Sequence, residues 1–428
     1  MTHKISIKKI FSDTGILFFE RVIRTITTTI IMFLLARYLS IDLLGQLSFA
    51  IAFGSIISVV AIMGTDGVTV HELITKKKPK NEVLGSALWI RIIFGITIIF
   101  LSNLGLLIFK ADYFLSTIVF IISLGIIFQA FEVIDLYFQS TLQFKKIINA
   151  RIISLFFSTL IKIFFLYYKF GIIYIASSFM LDSLILAIFL IIAYNQETFK
   201  FNSWKYKKNT AFYLIKNGSY LFISSVCVVM IMQMDKILIG FFSTSYDLGI
   251  YSAATQFTGV WNIIPVIIGV AIITDCAKLY KFNKVNYEDF ILKIFRYLTF
   301  LAIGICCIII IFGKKIIIVT IGERYAESAD ILYIYIFTII FIFHVSIRTR
   351  LLIIENSIDK ITYISILTLI TSVILNILLI SLIGIKGAAY ATVISWGLST
   401  ILFPLFWTRT RHYPSLFLNI FFINFKKQ

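Results

Sequence analysis

Apolar runs of about 20 residues recur from one end of this chain to the other, separated only by short polar breaks. Coiled into a helix, a run of roughly 20 residues spans the hydrocarbon of a bilayer. Within hydrocarbon each backbone N–H and C=O needs a partner inside the protein, which the helix supplies from its own segment. Twelve such runs fall near 17–38, 43–64, 84–108, 114–138, 148–168, 172–194, 213–242, 249–274, 291–312, 331–354, 362–383 and 387–407. The chain is therefore read as an all-α integral membrane protein, with the run at 213–242 long enough to include a kink. Only 14% of residues are charged, against about 25% in soluble domains. The first run is too long and too charged for a cleavable signal peptide. After the last run, RTRHYPSLFLNIFFINFKKQ is too short in apolar length to cross and is read as an interfacial tail.

A formal net charge of +18 raises the question of nucleic acid, but the distribution answers it. Clusters such as Lys76–Lys78, Lys145 and Lys146 with Arg151, Lys205–Lys208, Arg348 with Arg350, and Arg409–Arg411 fall in alternate loops. The intervening loops hold only Lys110, Lys169, Lys314, Lys315, Arg324 and Lys386. That alternation follows the positive-inside rule. It places both termini in the cytoplasm and assigns the basic charge to topology and anionic lipid headgroups, with no nucleic-acid partner.

The chain also repeats. LLGQLSFA at 43–50 resembles DLGIYSAA at 247–254, with Leu44, Gly45, Ser48 and Ala50 matching Leu248, Gly249, Ser252 and Ala254. FGIIYIAS (170–177) and IGIKGAAYA (383–391) form a weaker pair. Six spans, a basic linker and six spans suggest a duplicated transporter whose halves insert the same way up. The expected organisation is an N-terminal bundle at 1–194, a cytoplasmic linker at 195–212, a C-terminal bundle at 213–407 and a tail at 408–428.

Three segments carry a family likeness: RYLSIDLLGQLSFAIAF, MDKILIGFFSTSYDLGIYSAATQFTGVWNIIPVII and LISLIGIKGAAYATVIS. They resemble the signatures of polysaccharide flippases in the multidrug/oligosaccharidyl-lipid/polysaccharide exporter (MOP) superfamily. Twelve spans look like O-antigen flippases of the Wzx type. The resemblance implies two six-helix bundles of MATE-like fold, the bacterial inner membrane, and no enzymatic activity or cofactor. It implies alternating-access transfer of an undecaprenyl-diphosphate-linked oligosaccharide, of O-antigen or capsule type, to the outer leaflet. Membrane lipids, an O-antigen polymerase and a chain-length regulator are the implied partners.

Charges inside the spans are expensive and mark candidate sites. On the first, Glu20, Arg21 and Arg24 share a face that Thr27 and Thr28 continue, while Arg37 points elsewhere and suits an outer anchor. Arginine fits a diphosphate because its planar fork binds phosphate oxygens in pairs. Arg24 is read as facing a cavity, with an intrahelical pair to Glu20 as the alternative. On the fourth span Gln129, Glu132, Asp135, Gln139 and Gln143 form one polar stripe, suiting a cavity wall or helix–helix hydrogen bonding. Further candidates are Arg91, Lys162 with Asp182 as a plausible partner, and Asp235 with Lys236. Glu20, Glu132, Asp135 and Asp182 are also candidates for ion coupling. Pro265, between Gly259 and Gly269, is a kink or a flexing point.

The four cysteines lack metal-ligand spacing, and neither a phosphate-binding G-x-x-x-x-G-K-[ST] loop nor H-E-x-x-H occurs. No metal site is expected. The competing readings are a cation-coupled multidrug antiporter of the same superfamily and, less well supported for want of a large external loop, a membrane O-antigen polymerase.

Overall fold

A computed structural model describes residues 7–108, 112–197 and 203–418 of the protein. The expected tail beyond residue 418 and the middle of the linker, residues 198–202, lie outside that description. The first half contains α1 (Ile7–Tyr38), α2 (Ile41–Ile62), α3 (Thr65–Thr75), α4 (Lys80–Ile108), α5 (Tyr113–Gln129), α6 (Val133–Ser140), α7 (Phe144–Tyr167) and α8 (Ile172–Asn195). The second contains α9 (Lys208–Phe242), α10 (Ser245–Gly259), α11 (Ile263–Phe282), α12 (Lys284–Ile321) and α13 (Ser328–Tyr335). It closes with α14 (Thr338–Ile354), α15 (Ile358–Ile383), α16 (Ile385–Ile401) and α17 (His412–Leu418).

Among the described residues ten helices are long and apolar enough to cross a membrane. They become eleven when α13 and α14, bent by 42°, are taken as one span. The 32-residue α1, which carries the four charges noted above, stands outside that count. Each of the twelve apolar runs lies on a helix, and several runs are broken helices.

The breaks have local causes. Met63 and Gly64 both have positive φ (53° and 61°) where α2 gives way to α3. Any Cβ on Gly64 would run into the backbone of Gly218 and Phe222 on α9, so only glycine fits. Residues Ala130–Glu132 form a 3-10 turn between α5 and α6, and Val260–Asn262 another between α10 and α11. The second break precedes Pro265, whose ring lacks an N–H and clashes with the carbonyl four residues earlier.

The described residues form two compact units, one within 1–39 and 46–229 and the other within 40–45 and 230–428. Inside the first, Leu84, Val133, Phe138, Ile147, Leu190 and Leu214 make the core under the linker. The linker is strapped to α4: Lys205 N–H donates to the Asn81 carbonyl at 3.1 Å, and Lys207 N–H to Ser86 Oγ at 3.1 Å. Gly85 leaves room for the backbone of Lys205.

The second unit explains the internal repeat. Gly45 packs on the backbone of Ser245 and Gly249, and Gly249 packs on the backbone of Ile41. The caps match as well, Ser40 Oγ accepting from Leu43 N–H at 3.3 Å and Thr244 Oγ1 from Asp247 N–H at 3.1 Å. The two copies of the motif thus cross each other at their glycines. Small residues serve α16 similarly: Gly387, Ala388, Ala389, Ala391, Thr392 and Ser395 are all buried. Between helices in lipid, close approach of backbones replaces the hydrophobic drive available in water. At the end of the chain, α17 docks with Tyr413, Pro414 and Phe417 buried.

Candidate functional site

A charged cavity lies within the first unit, among α1, α7 and α8. It encloses about 300 Å³, lined by Arg24, Thr27, Thr28, Arg151, Ser154, Ser158, Lys162, Asp182 and Ser183, with Ile31, Met32, Leu155, Phe179 and Leu186 supplying apolar wall. The helical period makes the wall: Arg151, Ser154, Ser158 and Lys162 are spaced by three or four residues and so share one face of α7.

The charges are connected. Arg24 Nε lies 3.3 Å from Glu20 Oε1 on the same helix, with Glu20 buried and Arg24 44% exposed. Arg151 joins three helices. One of its nitrogens pairs with Asp135 on α6, and another lies 3.9 Å from Glu20 on α1. Lys162 pairs with Asp182 on α8 and lies 4.5 Å from the centre of the Phe179 ring. The carboxylates of Glu20 and Asp135 sit behind the wall, so the lining itself carries three cations and one acid. The hydroxyl of Thr28 donates to the Arg24 carbonyl at 2.8 Å. Its oxygen lone pairs remain for a ligand.

The other candidates divide between places. Gln129 stands just behind the cavity, accepting from Ser58 at 2.6 Å and donating to Ser183 at 3.4 Å. Glu132 lies half-buried in the 3-10 turn and Gln139 half-buried near the end of α6. The single unbroken polar stripe expected along this span needs correction: the helix breaks at Ala130–Glu132 and ends at Ser140, and Gln143 instead precedes α7. Arg91 is buried and held 2.5 Å from Asp66 on α3, away from the cavity residues. Arg21 and Arg37 are exposed.

In the second unit Asp235 is buried and accepts hydrogen bonds from the Tyr251 hydroxyl at 2.6 Å and the Lys236 N–H at 2.7 Å. Tyr251 comes from the repeated motif and meets Tyr335 edge to face at 5.9 Å. Lys236 is half-buried. Pro265 is buried, and beside it Arg350 Nη1 donates to the Val266 carbonyl at 2.9 Å. Two arginines read from sequence as loop charges are interior. Arg348 is buried in α14 and donates to the Ser399 carbonyl at 2.6 Å, near the end of α16 where carbonyls lack helical partners.

The other is Arg151, the cavity residue that sequence reading missed. It stands near the start of its run beside Lys145 and Lys146, which makes it read as a loop charge. The signal was present in the three-and-four spacing that joins it to Ser154, Ser158 and Lys162.

The sequence profile of the family described as "Polysaccharide biosynthesis protein" matches residues 34–330, well over half of the chain. The chain belongs to that family. Among solved structures it is similar to one titled "Lipid II flippase MurJ, inward closed conformation". The TM-score is 0.76 at 18% identity, over 95% of this chain and 90% of that one. It is also similar to an inward-facing multidrug resistance MATE family transporter of the MOP superfamily, at TM-score 0.70 and 11% identity, over 92% of this chain and 96% of that one. A MATE structure in complex with MaD3S aligns at TM-score 0.62 and 12% identity, over 96% and 97% of the two chains. No curated protein matches the sequence. At these identities the likeness establishes the fold alone: this family member shares the helical fold of those transporters, and its long apolar helices make it a multi-pass membrane protein.

Proposed function

We propose that this protein is a flippase that carries a diphosphate-linked oligosaccharide on a polyprenyl carrier across the bacterial cytoplasmic membrane. The observation that supports this reading is the cavity among α1, α7 and α8, where Arg24, Arg151 and Lys162 line a space of about 300 Å³ beside threonine and serine hydroxyls. A diphosphate needs cations inside the low-dielectric region, and a sugar needs neutral donors and acceptors. A drug cation would instead favour a wall dominated by carboxylates, and here Asp182 is the one acid among the lining residues.

Arg24 is the cation with most freedom to meet a ligand, because it is 44% exposed while its partner Glu20 is buried. Arg151 and Lys162 are bound to carboxylates and set the positive field around it. Membership of a polysaccharide biosynthesis family and a fold shared with a lipid II flippase favour a lipid-linked glycan over a drug. O-antigen or capsule repeat units are the proposed class, the cytoplasm is the proposed side of both termini, and a polymerase acting after the flippase is the proposed partner.

The test is transfer of lipid-linked oligosaccharide to the outer leaflet by Arg24→Ala and Arg24→Lys variants that insert at wild-type levels. Hydrogen bonds to charged groups contribute about 1.5–3 kcal/mol, so Arg24→Ala should slow transfer roughly tenfold to a hundredfold. Lysine should recover part of it, since it keeps the charge and loses the fork. Wild-type transfer by Arg24→Ala would refute Arg24 as the diphosphate contact, and no transfer by the wild-type protein would refute the flippase reading.

A further inference from the structure

A second cavity, of about 470 Å³, opens in the second unit, where the ends of α11, α12 and α14 meet the chain leading into α17. Its size falls within the range of small-molecule sites, roughly 300–1,000 Å³. Its lining includes Tyr280, Tyr287, Glu355, Asn356, Thr408 and His412. Nothing in the proposed transport cavity uses these residues.

Glu355 is held in one position. The Tyr287 hydroxyl donates to its Oε1 at 2.8 Å, and the Tyr413 hydroxyl donates to the same oxygen at 2.6 Å. Both tyrosines are buried, and burial beside Glu355 pushes the Tyr413 phenol well above its usual range, which keeps it a donor. Because both hydroxyls converge on Oε1, Oε2 keeps its capacity to accept. A carboxylate locked by neighbours is a prepared recognition group.

The surroundings narrow the ligand. A phosphate would meet Glu355 and Glu288 across the cavity. A metal ion would need clustered donors, and no group of three or more His, Cys, Asp or Glu suited to a metal exists among the described residues. A simple ammonium would face Arg409 and His412. Hydroxyl groups fit all of these neighbours: they donate to Glu355, exchange hydrogen bonds with Asn356 and Thr408, and accept from Arg409. Tyr280, half-buried and held edge to face by Tyr287 at 5.2 Å, adds aromatic surface for the C–H face of a pyranose ring.

We infer that this cavity, centred on Glu355, is a carbohydrate-binding site separate from the cationic cavity of the first unit. Only the source of the sugar rests on the flippase reading: with it, the site holds a sugar of the lipid-linked oligosaccharide on the side carrying Lys278, Lys281 and Arg409.

The experiment uses the full-length protein in lipid nanodiscs and saturation-transfer NMR. The probe is the oligosaccharide released by mild acid from the host's own lipid-linked pool. Wild type should show transfer to the sugar. Glu355→Gln, whose amide oxygen still accepts from the two tyrosines, should bind at least about tenfold more weakly. Thr408→Trp, which puts a large side chain into the cavity and leaves Glu355, Tyr287 and Tyr413 in the sequence, should abolish the signal. No transfer with wild type, or undiminished transfer with both cavity variants, would overturn the site. Competition by the intact lipid-linked form assigns the sugar to the carrier, and its absence assigns the site to a free sugar. No oligosaccharide transfer across the membrane by wild type, with sugar binding still lost in Thr408→Trp, would overturn the flippase reading and leave this site standing.

Discussion

Replacing Arg151 by methionine should separate what the charge network does for folding from what it does for a ligand. Arg151 pairs with Asp135, which is buried, and lies 3.9 Å from the equally buried Glu20. Methionine would leave Asp135 without its cation. Removing one partner of a buried pair costs about 3–5 kcal/mol, because a charge is stranded where water cannot reach it. Glu20 would still keep Arg24 at 3.3 Å, so the lower end of that range is expected. Arg24→Met removes a cation that is 44% exposed and leaves Glu20 near Arg151. Its cost should be the smaller of the two, because the buried Glu20 keeps Arg151 at 3.9 Å. The assay is unfolding by sodium dodecyl sulfate in mixed micelles, run beside oligosaccharide transfer. Arg151→Met should be the destabilised protein, and adding Asp135→Asn should restore about half or more of the loss. Arg24→Met should unfold close to wild type and yet transfer poorly. Equal stability of the two single variants, or no rescue by Asp135→Asn, would refute the assignment of Arg151 as the strut and Arg24 as the contact.

Gly45→Val should prevent stable assembly of the second unit, since a side chain there overlaps the Ser245 carbonyl, and the check is loss of monodisperse protein on size exclusion. Gly304→Ala is its control: nothing lies within 4 Å of the added carbon on α12, and helix propensity should raise stability by up to about 1 kcal/mol. Lys162→Met should destabilise the first unit through the stranded Asp182, with Lys162→Met/Asp182→Asn regaining stability but not transfer, measured in the same two assays. Gly269→Ala should displace the Arg350 side chain that packs against it and shift helix α11 near Pro265, read as a severalfold change in transfer at unchanged expression.

Much of the architecture was legible because the bilayer restricts it. A run of apolar residues in hydrocarbon has to be a helix, so the twelve runs located the helices without any knowledge of packing. The glycine pair of the repeat was also visible, at Gly45 and Gly249, though not its purpose. That emerged only when the two copies crossed, each glycine admitting the other copy's backbone. The breaks were less legible. Pro265 announced one of them, whereas Ala130–Glu132 and Ile336–Phe337 carry neither proline nor glycine and follow from how their helices pack.

The site divides along the same line. Sequence alone determined that Arg24, Lys162 and Asp182 lie inside apolar runs, because hydropathy is a property of the local segment. It named the pairs Lys162–Asp182 and Arg24–Glu20, which the structure forms, but not the other partners. Arg91 belongs to Asp66 on a neighbouring helix, and Arg348 to a carbonyl near the end of another. Arg151 looked like a loop charge until α1, α6 and α7 came together around it. A charge in a membrane protein is defined by what faces it across a few ångströms, and that is set by the packing of helices distant in sequence.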